Sequence, residues 1–264
     1  MTDERRVHPN LVVRDENAVR TLRIDREDKL GAFSGSLIAA LGNEITTLRD
    51  ATDVRAVILT GTGRGFVAGA DIGEYGTSSR AEFEAYQRRS RVVFDALSSL
   101  PQPTIAAVNG YAFGGGFEIA LCCDVILCSE KARFGLPEIK LGLIPGGGGP
   151  QRLARQVSPR WTKELVLTGR TVYPEEALAR GVVAKVVAPD LLPAAALELA
   201  TTLARLPAEA ARAAKQRIDE GAEQDLDTAL GEDQAALGRL FDTPDAKEGI
   251  DAFIQKRPPE FGRR

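Results

Sequence analysis

Glu118 and Glu138 are the residues whose type and setting point most directly to chemistry. Glu118 lies in Gly116-Phe117-Glu118-Ile119-Ala120-Leu121, and Glu138 lies in Phe134-Gly135-Leu136-Pro137-Glu138-Ile139. Apolar surroundings disfavour the charged form of a carboxyl and raise its pKa. A pair so perturbed can divide the roles of acid and base. Taken singly, each reads more readily as a helix-end or surface glutamate, and sequence alone does not bring them together. The only histidine is His8, near a terminus expected to fray. A Ser-His-Asp or Cys-His nucleophile would need that end to fold back into a pocket. One histidine also rules out a histidine-rich metal site. Proton chemistry therefore falls to the carboxylates, drawn from 37 Asp+Glu.

Backbone amides are the second candidate. Three glycine clusters stand out: Gly61-Thr62-Gly63-Arg64-Gly65, Gly114-Gly115-Gly116 and Gly146-Gly147-Gly148-Gly149. The first fails the dinucleotide fingerprint, because its sixth position is Phe66. The other two lack the Gly-Lys-Ser/Thr ending of a phosphate-cradling loop. Any one cluster viewed alone reads first as a tight turn. Gly114-Gly115-Gly116 carries more, because an apolar helical pattern follows it. Glycines let a ligand approach the backbone, and a first helical turn leaves amide donors unpaired. Such a place suits a developing oxyanion.

The elements that must position these groups alternate along the chain. Leu11-Val12-Val13 and Val19–Ile24 flank the polar turn Asp15-Glu16-Asn17, a hairpin pattern. Leu37, Ile38, Leu41, Ile45 and Leu48 recur at spacings of three and four, predicting a helix over 34–49 capped by Ser34. Ala56-Val57-Ile58-Leu59-Thr60 reads as a buried strand. A helix over 80–100, strands over 104–108 and 124–128, and a helix opening within Gly114-Gly115-Gly116 continue the series. Repeated strand-then-helix units mean an α/β architecture. From about Leu191, Ala and Leu dominate and helical spacing takes over. The chain thus divides into a core over 1–190 and a helical region over 191–264, which packs on the core or on a neighbouring subunit.

Composition sets the remaining bounds. A chain of 264 residues, 44% hydrophobic and 27% charged, fits a soluble globular protein of one large domain, with or without an appendage. The 34 Lys+Arg against 37 Asp+Glu give a formal charge of −3, which counts against nucleic acid as the main partner. Cys122, Cys123 and Cys128 share one apolar stretch without a CxxC, as buried reduced thiols do. MTDERRVHPN has no apolar h-region, and no apolar run reaches the roughly 18 residues of a spanning helix. A cytoplasmic protein with no membrane partner is expected.

Several motifs resemble one family. Phe66-Val67-Ala68-Gly69-Ala70-Asp71-Ile72 is similar to the AGADI segment of the crotonase (enoyl-CoA hydratase/isomerase) superfamily. Val108-Asn109-Gly110-Tyr111-Ala112-Phe113-Gly114-Gly115-Gly116-Phe117-Glu118 resembles its signature. So does Phe134-Gly135-Leu136-Pro137-Glu138-Ile139, followed by Gly142-Leu143-Ile144-Pro145-Gly146. Phe253-Ile254-Gln255-Lys256-Arg257 is similar to its tail. The motifs run in the family's order through nearly the whole chain.

The resemblance implies a spiral of repeated ββα units with a C-terminal helical trimerisation region, two trimers often stacking as a hexamer. It implies an acyl-coenzyme A thioester substrate, no separate cofactor and no metal. The amides of Ala70 and Gly115 map to the oxyanion hole. Ala68, Gly69, Asp71, Ile72 and Gly114 map around it, and Pro137 and Gly146 lie near the acids. Lys29 maps near coenzyme A, and Phe253 and Lys256 map to tail residues that reach it in an adjacent subunit. Lys256 by itself reads equally as a solvated charge. Family members that hydrate enoyl-CoA keep both glutamates, whereas isomerases usually keep one or move it. Glu118 and Glu138 match both positions, which favours hydration of a trans-2-enoyl-CoA to a 3-hydroxyacyl-CoA in fatty-acid or amino-acid breakdown. In the family picture the second glutamate is base on the water and the first holds it and relays protons. The division of proton delivery stays open. Another crotonase reaction is the nearest alternative. A non-catalytic coenzyme A- or RNA-binding role is opposed by both glutamates and the near-neutral charge. Gly31, Gly73 and Pro150 depart from the family's usual residues around coenzyme A, and Pro150 fits if it opens a helix.

Overall fold

The computed structural model of the chain describes residues 3–262. β1 (Asp3–His8), β2 (Leu11–Glu16) and β3 (Val19–Ile24) form an antiparallel meander. α1 (Gly35–Arg49) follows, and the Ser34 hydroxyl caps it by accepting the Leu37 N–H at 3.1 Å. Three units then repeat one plan. β4 (Ala56–Gly61) and β5 (Gly65–Val67) lead into α2 (Ile72–Tyr75) and α3 (Arg80–Ser98). β6 (Thr104–Val108) and β7 (Tyr111–Phe113) lead into α4 (Gly115–Ala120). β8 (Val125–Ser129) and β9 (Arg133–Gly135) lead into a 3-10 turn, Pro137–Leu141, and then α5 (Gly149–Gln156). α6 (Pro159–Thr168), α7 (Pro174–Ala179) and β10 (Lys185–Val187) come next. α8 (Leu192–Ala204), α9 (Ala208–Gly221), α10 (Leu226–Phe241) and α11 (Pro244–Gln255) close the chain.

The first strand of each unit enters a seven-stranded sheet of order β1-β2-β3-β4-β6-β8-β10, parallel from β3 onward. The second strand enters a parallel three-stranded sheet, β5-β7-β9. The chain therefore advances as a spiral of ββα turns, the architecture that the family resemblance implies.

The large sheet is buried on both faces, which explains its near-continuous apolar strands. Side chains alternate between faces. Val57, Leu59, Ala106, Val108, Ile126 and Cys128 face one core with α1, α3 and α4. Ala56, Ile58, Ile105, Ala107 and Leu127 face the other, where Leu192, Ala196 and Ala200 of α8 cover them. Beyond α8 burial falls sharply: α9 buries no residue, α10 only Ala236 and α11 only Ala252. No helix among the described residues is long and apolar enough to cross a membrane.

One expectation about the N-terminus is corrected. His8 is not on a frayed end, because β1 pairs along β2 and so satisfies its backbone. His8 itself pairs with Leu11, and its Nδ1 accepts the Asn10 N–H at 3.1 Å. It lies outside the pocket described below.

Two contacts set the small sheet in place, one against the large sheet and one against α4. The Asn109 side chain accepts the Gly61 N–H at 3.0 Å and donates to the carbonyls of Gly63 at 2.9 Å and Gly65 at 3.0 Å. The first glycine cluster is thus a turn stapled by Asn109. At Gly116, α4 lies directly on β5, and a Cβ there would overlap the Val67 carbonyl oxygen. The neighbour is backbone and cannot rotate away. Gly116→Ala is expected to destabilise the fold at or beyond the upper end of the about 1–3 kcal/mol typical of overpacked cores. A urea midpoint equal to that of the wild type would contradict this close approach.

Candidate active site

The three strands of the small sheet run in parallel, so the segments following them leave from one edge. Ala70 follows β5, Gly115 follows β7 and Glu138 follows β9. Ligands in open parallel sheets bind beyond this carboxyl edge. Here the edge opens into a cavity of about 120 Å³ that takes in Ala70, Gly115, Glu118 and Glu138. The sequence-predicted residues Ala68, Gly69, Ile72, Gly114, Pro137 and Gly146 line it as well.

The amides are prepared by the local backbone. Gly69 has φ +104°, its carbonyl accepts the Phe33 N–H at 2.9 Å, and the Asp71 N–H donates to the Phe33 carbonyl at 2.8 Å. Those bonds fix the residues on either side of Ala70 and leave its own N–H without a protein acceptor among the described residues. Gly114, at φ +53°, donates to the Gly135 carbonyl at 2.9 Å and opens α4. The Gly115 N–H, in the first turn, likewise has no acceptor among the described residues. A Cβ on Gly114 would stand 3.9 Å from Gly69 Cα, so the two loops adjoin. Two donors freed in adjoining loops are suited to an oxyanion.

The acids occupy different environments. Glu118, in the first turn of α4, is 3% exposed. Its Oε1 accepts the N–H of Gly147 and of Gly149, both at 2.8 Å. Burial raises its pKa above the ordinary carboxyl value, while the amides of Gly149 and Gly147, then the Arg152 charge, oppose the rise. Glu138, in the Pro137–Leu141 turn, has less support. Its Oε2 is buried without a partner among the described residues. Burial, with the Glu118 charge adding to it, pushes the Glu138 carboxyl up to about 7.

Four predicted contacts lie outside this cavity. Asp71 caps α2 and pairs with Arg26 at 2.7 Å, which holds its carboxyl below the usual range. Lys29 ends a separate 3-10 turn, Glu27–Lys29. Phe253, at 85% exposure, and Lys256 lie at the end of α11. Gly31 is required locally: its φ is +77°, and a Cβ there would overlap the Phe66 carbonyl oxygen. Pro150 stands in the first turn of α5, where its missing N–H costs nothing.

The sequence reading missed one wall. Phe83, Tyr86, Gln87, Ser90 and Phe94 of α3 line the cavity. Their spacings of three and four were the available signal, but the same spacing serves ordinary core packing.

The Glu138 environment sets a pH dependence of stability. Its folded pKa of about 7 lies above the ordinary 4.5, so the folded state holds the proton more tightly. Its stabilising contribution is full below the unfolded value and is lost as pH rises through the folded one. Glu138→Gln removes that loss. The Tm of the variant relative to wild type should therefore rise between about pH 5 and about pH 8, and a constant difference would refute the assignment.

Comparison with known proteins identifies the family. A sequence profile described as Enoyl-CoA hydratase/isomerase matches residues 14–264. The short-chain-enoyl-CoA hydratase of Clostridium acetobutylicum is 40% identical over 252 residues, 95% of this chain and 97% of that protein. The 2,3-dehydroadipyl-CoA hydratase of Escherichia coli is 38% identical over 96% of this chain and 99% of its own length. A crystal structure of an enoyl-CoA hydratase from Bacillus anthracis superposes with a TM-score of 0.93 at 37% identity, covering 96% of this chain and 98% of that one. Sequence and fold agree along nearly the full length, and the chain belongs to the enoyl-CoA hydratase/isomerase family.

Proposed function

We propose that this chain is an enoyl-CoA hydratase, adding water to a trans-2-enoyl-CoA to give a 3-hydroxyacyl-CoA and catalysing the reverse dehydration. The observation that carries the reading is the meeting, in one cavity, of the buried Glu118, the half-buried Glu138 and two amides without acceptors among the described residues. The thioester oxygen accepts from the N–H groups of Ala70 and Gly115. Charge moves onto that oxygen as an enolate forms, and losing one such donor costs roughly 10²–10³ in rate. The same polarisation makes the β-carbon electrophilic. Water gives its oxygen to the β-carbon, and a proton is added at the α-carbon.

The environments of the acids support a division of labour. Glu118 accepts two N–H donors and feels the Arg152 charge, which favour its anion. Glu138, near pH 7, can carry a proton and deliver it to the α-carbon. Glu118 then takes a proton from the attacking water. This reverses the assignment that the family resemblance implies.

The cavity, at about 120 Å³, is smaller than the roughly 300 Å³ where pockets for drug-sized ligands begin, which supports a short acyl group. Coenzyme A remains outside it as part of the substrate, and the reaction as written uses no electron carrier. The family resemblance assigns Lys29 and Asp71 to that outer portion. Phe253 and Lys256 serve the coenzyme A of a neighbouring subunit in a homotrimer or a hexamer of two trimers. Exposed Leu226, Leu237 and Phe241 on α10 support such an assembly. A single-chain mass by sedimentation equilibrium would overturn it. The buried free thiols of Cys122, Cys123 and Cys128 fit a reducing cytoplasm.

Crotonyl-CoA, followed by loss of its conjugated thioester absorbance, tests the activity. Turnover is expected, and Glu118→Gln or Glu138→Gln should each lower kcat by about 10²–10⁴ while remaining folded. No turnover on short, medium or branched enoyl-CoA would refute the hydratase assignment.

A further inference from the structure

The charge of Glu118 is held by a device outside the cavity. Both of its N–H donors, Gly147 and Gly149, belong to the glycine loop that opens α5. Arg152 lies in the next turn, its own N–H closing on the Gly148 carbonyl at 2.9 Å. A Cβ on Gly148 would stand 3.5 Å from Arg152 Nε, which places this side chain against the same loop. The guanidinium then crosses to α3. Its Nη2 donates to Asp95 Oδ1 at 3.0 Å, and its Nη1 donates to Ser98 Oγ at 3.2 Å. The other Asp95 oxygen accepts from Arg91 Nε at 2.6 Å. Arg152 is 24% exposed, so water only partly screens its charge. Asp95 directly follows Phe94, which lines the cavity beside Glu118.

We propose that Arg152 is a positioning residue for hydration: its guanidinium locks onto α3 the loop whose amides solvate Glu118. The proposal rests on the hydratase assignment for its kinetic part only. The loop's own residues offer no side-chain hydrogen bond to hold it in place. The glycines themselves offer no side chain, and Pro150 offers no N–H. A guanidinium forked over two acceptors supplies geometric restraint as well as charge.

The groups around Glu118 give the proposal a sign. Glu138 faces it from the Pro137–Leu141 turn and raises its own pKa against it. Arg152 acts on it from α5, and Asp95 and Arg91 of α3 adjoin the Arg152 guanidinium rather than Glu118. Cys122, in the turn after α4, has a thiol pushed up to about 12 by burial and stays neutral. Removing the Arg152 charge should therefore move the Glu118 titration to higher pH. Removing Asp95 releases the guanidinium from α3 and should move the titration the same way.

The experiment is a ¹³C NMR titration of the glutamate carboxyls in the intact protein, with Glu118 assigned by its loss in Glu118→Gln. It is paired with the kcat–pH profile on crotonyl-CoA. Arg152→Gln should shift Glu118 upward and move the acid limb of kcat in the same direction. It should lower kcat by up to about 10²-fold, the scale of misplacing a catalytic group by an ångström, with KM little changed. Arg152→Lys should restore the titration and only part of kcat, since one ammonium cannot reproduce the fork. Asp95→Ala, which removes the main acceptor of the lock, should also shift Glu118 upward and lower kcat. If Arg152→Gln does not fold, the lysine and Asp95→Ala variants decide. Unchanged titration and kcat in a folded Arg152→Gln or a folded Asp95→Ala would overturn the proposal. Should wild type fail on every enoyl-CoA, the hydratase assignment falls while the titration still judges Arg152.

Discussion

A carboxylate taken out of water must find its solvation within the protein, or it takes up a proton. That requirement organises the structure around Glu118. The side chain sits in the first turn of α4, sealed between the small sheet, α3 and the loop before α5. Its solvation comes from backbone, through the amides of Gly147 and Gly149. Amides are fixed donors and need no reorganisation as charge shifts during reaction. They donate this way only if the loop lies against the carboxylate, and that closeness dictates its composition. A Cβ at Gly147 would stand 2.7 Å from Glu118 Oε2, and one at Gly149 would stand 2.9 Å from Glu118 Cγ. Gly147 and Gly149 are therefore in part a steric consequence of the acid they serve, with Phe94 also crowding Gly147.

The same constraint creates the asymmetry between the acids. Equal solvation would give two carboxyls of similar pKa, poorly suited to opposite roles. Here one carboxyl collects two amides and the field of a guanidinium, while the other keeps an oxygen without a partner among the described residues. The Glu118 charge then adds to the burial of Glu138. Solvating one acid well thus helps to protonate the other.

While the polar β1 and the short β10 at its edges were not read, the sequence made the middle of the large sheet, β2, β3, β4, β6 and β8, and the first helix legible. Their periods are long enough to recognise, from Ser34 as cap through Leu37, Ile38, Leu41, Ile45 and Leu48 to the apolar run of β4. The small sheet escaped. Its strands have three residues each, too few to show a period of two. Both acids and both amide positions were readable through the ordered motifs, yet what holds Glu118 was not. Its partners are backbone groups 29 and 31 residues away, and backbone donors carry no side-chain signature. Asn109 shows the converse. It stands in a stretch that resembles the family signature, but its side chain staples a turn between strands. Residues within one motif can thus serve packing and chemistry separately.

The repeated topology explains why four groups from distant segments converge. In a parallel sheet, every strand delivers its following segment to the same edge. β5, β7 and β9 are neighbours in that order, so the segments carrying Ala70, Gly115 and Glu138 emerge side by side. The contact of Gly116 with the Val67 carbonyl sets α4 on β5 and turns Glu118 inward over this edge. Asn109 fixes the spacing between the two sheets that the edge requires. Three-residue strands have little stability of their own, and the small sheet persists because each of its strands continues directly from one buried in the large sheet. The amides and acids are placed by the spiral as a whole, and the site inherits the rigidity of a core in which it occupies only the rim.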